Sequence, residues 1–265
     1  MTQIRLQNER QFHDQQAAQR AQALQARDYA VVDAAYLTHE SWIAPAFDAL
    51  GDVHGKRVLD LGCGHGMASV VLARRGARVV ACDLSPGYLR EGRLRARANS
   101  VQAHFLACDG ERLPFGDASF DRIWGNAILH HLDLHRATRE IDRILAPGGI
   151  AVFCEPWGGN RWLSWARQAL PYPGKQRTAD ESPLRPCDLR QLCDAFPSLQ
   201  VRGFQLLAML GRVFRQQRLI AGLAWCDDFL MRRWPGWQQY CRYVVVIIRK
   251  PSPRLQENST HFALG

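Results

Sequence analysis

Val58-Leu59-Asp60-Leu61-Gly62-Cys63-Gly64-His65-Gly66 decides how the rest of the chain is read. An apolar strand runs into an acid, glycines follow at three alternate positions, and a helix opens directly after. At such a turn the backbone comes within contact distance of a ligand, because glycine has no Cβ and tolerates positive φ. The free amides at the start of the next helix favour an electron-rich or anionic group. The spacing is G-x-G-x-G, which departs from the G-x-G-x-x-G of dinucleotide-binding turns.

Working outward, strands and helices alternate. Arg57–Leu61 reads as the first strand and Met67–Arg75 as the helix after it, closed by Gly76 as a C-cap glycine closes one. Ala77–Cys82 is a second strand ending in Asp83, and Ser85-Pro86 supplies an N-cap and a first-turn proline for the helix Tyr88–Ala98. His104–Cys108 is a third strand, ending in Asp109-Gly110, and Phe120–Trp124 a fourth. Asp133 caps the helix Leu134–Leu145, whose Ala137, Ile141, Ile144 and Leu145 share one face. Pro147-Gly148-Gly149 stops it, and Ile150–Cys154 is a fifth strand ending at Glu155-Pro156. The alternation predicts a parallel, doubly wound sheet. Ligands of such sheets bind outside the carboxyl ends of the strands. Those ends carry the glycine loop, Asp83, Asp109, Asn126 and Glu155.

In these residues the chain resembles the class I S-adenosylmethionine (SAM) methyltransferases, in the branch that includes the ubiquinone and menaquinone C-methyltransferases. The resemblance rests on Asp60–Gly66, Asp83, Asp109, the run from Leu113 to Asp121, Ala127–Leu132 and Leu145–Gly149, and covers about residues 50–156. It implies a Rossmann-like, seven-stranded, doubly wound sheet, mostly parallel with the last strand antiparallel. It implies SAM as cofactor and S-adenosylhomocysteine as product. Asp60, Gly62, Cys63, Gly64 and Gly66 would hold the methionyl part, Asp83 the ribose hydroxyls, Leu84 and Asp109-Gly110 the adenine, and Asn126 would approach through its backbone. The implied activity is methyl transfer, and the Trp- and Arg-rich lid with the apolar 204–234 region behind it predicts a small amphipathic acceptor, anionic or aromatic, of specialised or lipid-like metabolism. Carboxyl O-methylation of a peptide or acid and C-methylation of a prenyl diphosphate are the alternatives.

Around that core the chain divides into an N-terminal helical cap (1–50), the SAM-binding core (51–156), an inserted lid (157–199), closing strands with an amphipathic helix (200–250) and a disordered tail (251–265). The first 28 residues are polar and glutamine-rich and read as a frayed start and a helix lying over the core. Tyr29–Leu50 reads as a second helix broken near Pro45. Gln200–Leu210 and Tyr240–Arg249 are the closing strands, with a helix over 215–234 between them. In 265 residues, 47% of them hydrophobic, one α/β domain with a sizeable core fits.

Methyl transfer is an in-line displacement at a sulfonium, so alignment and water exclusion carry most of the catalysis. A base is required only for an acceptor that is not already nucleophilic. Glu155 and His131 are the candidates for that role, each with a structural alternative, an N-cap or loop role for the first and a positional or core role for the second. Tyr36, Trp42, His130, Trp157, Arg161 and Arg177 are candidates for the acceptor side, with core packing or a solvated face as the competing reading. Arg161, Arg177 or Arg185 would hold an anionic acceptor. His131 and His135 have the i, i+4 spacing of zinc ligands, but the intervening glutamate of H-E-x-x-H is absent, and no metal is expected.

The net charge is +9, and only Lys56, Lys175 and Lys250 among the 34 basic residues are lysines. Arginine excess fits genome composition, an acidic substrate or nucleic acid. Against nucleic acid, the strand-four loop reads Gly125-Asn126-Ala127-Ile128 and lacks the Asn/Asp-Pro-Pro-aromatic loop that holds a flipped base. A non-enzymatic SAM-binding partner role is opposed by the intact Asp60, Asp83 and Asp109. Eight cysteines without a C-x-x-C pair predict a reduced, cytoplasmic chain, and no run of 18 apolar residues predicts a membrane span. Peripheral membrane contact and a peptide acceptor remain open, as does the oligomeric state.

Overall fold

The structure is a computed structural model that describes residues 3–160, 163, 165, 182–212 and 217–252. Its helices are α1 (Gln3–Ala23), α2 (Asp33–Thr38), α3 (Ile43–Leu50), α4 (Met67–Arg74), α5 (Pro86–Ala98), α6 (Leu134–Ile144), α7 (Pro186–Ala195) and α8 (Gln217–Arg233). Its strands are β1 (Arg57–Leu61), β2 (Arg78–Asp83), β3 (Ala103–Ala107), β4 (Phe120–Asn126), β5 (Leu145–Pro156), β6 (Gln200–Phe204) and β7 (Tyr243–Arg249). They form one seven-stranded sheet in the order β3-β2-β1-β4-β5-β7-β6. β1 to β5 pair in parallel, and β7 runs antiparallel to both β5 and β6. This is the Rossmann-like, doubly wound sheet that the strand–helix alternation predicts.

Strand residues alternate between two cores, as the two-residue period of a strand requires. Val58, Trp124, Val152, Val245 and Ile247 face a layer that contains α2, α3 and α4. Leu59, Ile123, Phe153, Val244 and Val246 face α6 and α7. A strand buried on both faces must be apolar throughout, which is why β7 contains Val244-Val245-Val246-Ile247-Ile248 without interruption. On α6, Leu134, Ala137, Ile141 and Ile144 recur at helical spacing and are all buried. Each such Leu or Ile contributes about 1.5–3 kcal/mol relative to an exposed position.

Several boundaries differ from the sequence reading; β5, for one, starts at Leu145 rather than Ile150, so Pro147-Gly148-Gly149 lies within it. Pro45 does not break a long helix: the segment before it is the separate α2, and Pro45 sits in the first turn of α3, where its missing amide costs nothing. β6 stops at Phe204 instead of continuing to Leu210, because Gln205 adopts φ 60° and turns the chain. Within the expected lid, α7 packs on the sheet, with Leu184, Leu192 and Phe196 in the core. The lid residues Arg161, Trp162 and Arg177 and the tail from residue 253 lie outside the described residues.

Candidate active site

The loop after β1 has three glycines for three different reasons. All have positive φ: 67° at Gly62, 49° at Gly64 and 78° at Gly66. A Cβ on Gly62 would lie 2.7 Å from the Ile128 side chain, and one on Gly66 would lie 2.9 Å from the Gly92 backbone. A Cβ on Gly64 would meet nothing within 4 Å. Gly62 and Gly66 therefore serve packing, while Gly64 faces open space in a cleft of about 360 Å³.

That cleft runs over the tips of β1, β2, β3 and β4. Its floor is Gly62, Gly64, Asp83, Leu84, Asp109, Gly110, Asn126, Ile128 and His131. The Asp83 carboxylate accepts from the Gly64 amide at 2.8 Å and the Ser85 amide at 2.9 Å, which ties the strand-two tip to the glycine loop. Burial raises the Asp83 pKa, and the two amides oppose that rise. Asp109 accepts from the Glu111 amide at 2.8 Å. Ala127 holds φ 57° on the cleft wall while its amide donates to Cys154 at 2.7 Å, a left-handed non-glycine residue of the kind that marks strained functional loops.

The roof comes from an element whose role the sequence reading missed. Leu6, Glu9, His13 and Gln16 of α1 all line the cleft. Their 3-4-3 spacing places them on one helix face, and this spacing is the signal that composition hid. Polar contacts fasten α1. Asp14 accepts from the Ser85 hydroxyl at 2.5 Å and the Gly87 amide at 2.9 Å, capping α5 from outside. Arg20 donates to Glu91 at 3.0 and 3.2 Å, Tyr88 donates to Gln16 at 3.0 Å, and Arg5 pairs with Glu111. Tyr88 and His65 add rings to the cleft wall. Burial, reinforced by Arg20 and Arg95, pulls the His65 pKa down to about 4, so this ring is neutral at pH 7.

Most other candidates lie away from the cleft. The Asp60 side chain points beneath the loop, where it accepts from the Ser69 hydroxyl at 2.5 Å, and burial raises its pKa to about 7. Cys63 packs against the core, and burial pushes its thiol well above the ordinary range. Tyr36 and Trp42 belong to the hydrophobic core, Trp42 stacking on Tyr243 at 3.8 Å, because large rings gain more from burial than from a wet wall. Trp157 is also buried, and its indole donates to the Gln239 carbonyl at 3.1 Å. Glu155 is fully buried: one oxygen accepts from the Ile128 and Leu129 amides at 3.0 and 2.8 Å, and the other lies 2.7 Å from His130 Nδ1. It braces the turn after β4 and orients His130. His131 reaches the cleft, with Nδ1 3.8 Å from a Glu9 oxygen. No metal-binding cluster exists among the described residues.

The residues fit a nucleoside cofactor on three counts. The cleft volume lies in the range of small-molecule sites, at about 300–1,000 Å³. Two aspartates stand at successive strand tips. The His13 and His131 Nδ1 atoms, both on cleft-lining side chains, are buried without a hydrogen-bond partner among the described residues.

Comparison with known proteins agrees. The family model described as "Methyltransferase domain" matches residues 59–153. A demethylmenaquinone methyltransferase of Thermus thermophilus is 31% identical over 192 residues, which is 69% of this chain and 86% of that protein. The chain belongs to the class I SAM-dependent methyltransferases. An uncharacterized methyltransferase of Synechocystis is 36% identical over 143 residues, 53% of this chain, and the match spans only 65% of that relative's length. The fold is also that of a geranyl diphosphate C-methyltransferase from Streptomyces coelicolor, solved with Mg²⁺, geranyl diphosphate and S-adenosyl-L-homocysteine. That structure covers 78% of each chain, with 21% identity and a TM-score of 0.53. SAM is accordingly the cofactor of this methyltransferase.

Proposed function

We propose that this methyltransferase moves the methyl group of SAM to a small amphipathic acceptor, anionic or aromatic, of specialised or lipid-like metabolism. The observation that carries the reading is the roofed cleft: two carboxylates and an open glycine at the strand tips, with the α1 face opposite. The name of the Thermus thermophilus relative supports a quinone-type acceptor. The likeness to the geranyl diphosphate enzyme extends to the fold alone.

SAM supplies a methyl group already activated on a sulfonium. Asp83 and Asp109 orient the nucleoside through its ribose and its base. α1 covers the cleft and excludes water, so the displacement proceeds by proximity and orientation. The Ile128 and Leu129 amides and the His130 ring around Glu155 support a positioning role for it. An acceptor that must shed a proton would give it to the histidine turn, with His130 held by Glu155 and His131 on the cleft. This arrangement favours acceptors that are nucleophilic when they bind, a quinol-type ring or a carboxylate, over an alkene that needs an unencumbered glutamate.

The test is turnover. Purified protein with SAM and, separately, a naphthoquinol, a carboxylic acid and a prenyl diphosphate should give S-adenosylhomocysteine and methylated product in equal amounts with one of the first two. SAM uptake by calorimetry without product from any acceptor class would instead favour a non-catalytic SAM-binding partner role.

A further inference from the structure

Most described large apolar side chains are inside, but a group of aromatic ones is not. On α8 and the turn that follows it, Trp225 is 70% exposed, Phe229 54%, Trp234 44%, Trp237 43% and Tyr240 45%. The rings are organised. Trp225 and Phe229, one helical turn apart, stack at 6.2 Å, and Trp234 stacks on Trp237 at 5.7 Å. The Arg233 guanidinium lies 5.3 Å over the Trp234 ring. Residues this large on a wet surface mark an interaction site when they are contiguous.

The charge of the segment selects the partner. Residues 208–242 contain Arg212, Arg215, Arg218, Arg232, Arg233 and Arg242 and no lysine, against Asp227 and Asp228 as the only acids. Both acids are engaged. Asp227 is buried and accepts from the Leu206, Leu207 and Ala208 amides, and Asp228 pairs with Arg232 at 2.6 Å. Among the described side chains, Arg232 and Arg233 are exposed beside these rings, Arg232 at the mouth of the neighbouring cavity and Arg233 over Trp234. The inward face of the same helix, with Ala224 and Met231, lines a cavity of about 570 Å³ beside the β6 tip.

We propose that this face docks on an anionic lipid surface. Indole and phenol rings have an apolar body and a polar edge and settle at the headgroup level, while arginines pair with lipid phosphates. No described helix is long and apolar enough to cross a membrane, so the contact is peripheral. The proposal does not depend on methyl transfer or on the acceptor. Docking there would place the cavity behind α8 next to the bilayer, where an amphipathic molecule is concentrated.

The experiment uses the full chain, with phosphatidylglycerol-rich and pure phosphatidylcholine vesicles, read by co-sedimentation and by tryptophan emission. Binding should favour the anionic vesicles by at least about tenfold and fall steeply with added salt. Trp225→Ala with Trp237→Ala should weaken it about tenfold or more and remove the emission blue shift. Arg232→Gln with Arg233→Gln should weaken it roughly thirty-fold on anionic vesicles and leave the phosphatidylcholine signal unchanged. SAM uptake by calorimetry, unchanged in each variant, shows that the chain is folded. Absence of vesicle binding overturns the proposal, as does binding that neither pair of substitutions alters. Single-stranded RNA binding or self-association that the same variants abolish, without vesicle binding, also overturns it and gives the face to that partner.

Discussion

Asp60 and Asp83 show how one side chain type takes different work from its surroundings. Asp83 looks into the cleft and already binds the Gly64 and Ser85 amides. Its replacement by alanine leaves two amides unpaired and removes the proposed ribose acceptor. At about 1.5–3 kcal/mol for a charge-assisted bond, SAM affinity should fall about 10- to 100-fold by calorimetry. Unchanged affinity would sink the assignment. Asp60, by contrast, is buried under the loop, with a pKa raised from its ordinary 3.8 to about 7. A raised pKa means that the folded state holds the proton more tightly. The contribution to stability is complete below 3.8 and is lost as pH rises through about 7. The cofactor-free protein should therefore lose urea resistance across that window, and Asp60→Asn, which cannot ionise, should lose less. Parallel pH slopes for the two proteins would refute this origin.

At the scale of elements, α1 and the turn after β4 both depend on polar contacts. α1 closes the cleft through Asp14, Gln16 and Arg20, each bonded to α5 or its N-terminus. Asp14→Ala removes an external cap, a loss of about 1 kcal/mol. The cofactor should then leave several-fold faster in stopped-flow dissociation, with global stability little changed. A normal release rate would show that α1 is not the gate. The turn after β4 depends on Glu155. Glu155→Ala strands two buried amides and an imidazole nitrogen, at about 1–3 kcal/mol each before relaxation, and should lower the unfolding midpoint markedly. Glu155→Gln keeps the acceptor for both amides and disturbs only the histidine. It should preserve stability and SAM affinity while lowering kcat and shifting its pH profile. A Gln variant with native kcat would reduce Glu155 to scaffolding.

Over the whole molecule, legibility followed locality. β1 to β5 and the helices between them were readable because each carries its own start and stop signals, such as Ser85-Pro86 and Asp133. The strand-tip residues were readable because sheet topology converts position in a strand into position in space. Long-range partners were not. Nothing local shows that Asp227 takes the three amides after Gln205 and so ends β6 early. Nothing local separates Trp42 stacked on Tyr243 from a tryptophan on a wall, or tells that Glu155 spends both oxygens on its own turn. The α1 stripe was obscured because a roof over a polar ligand has no reason to be apolar. This arrangement has a global consequence. In the proposed site the cofactor would join the sheet tips to α1, so binding should stabilise the chain as one unit. At a hundredfold excess over Kd the gain is about 2.7 kcal/mol, and for a domain of this size Tm should rise by about 5–10 °C with S-adenosylhomocysteine. Protease cleavage within α1 should slow in parallel, since the helix is clamped from both sides. Asp83→Ala should show neither effect at the same ligand concentration. A rise in Tm without protection of α1 would mean that the nucleoside binds the strand tips alone and that the roof plays no part.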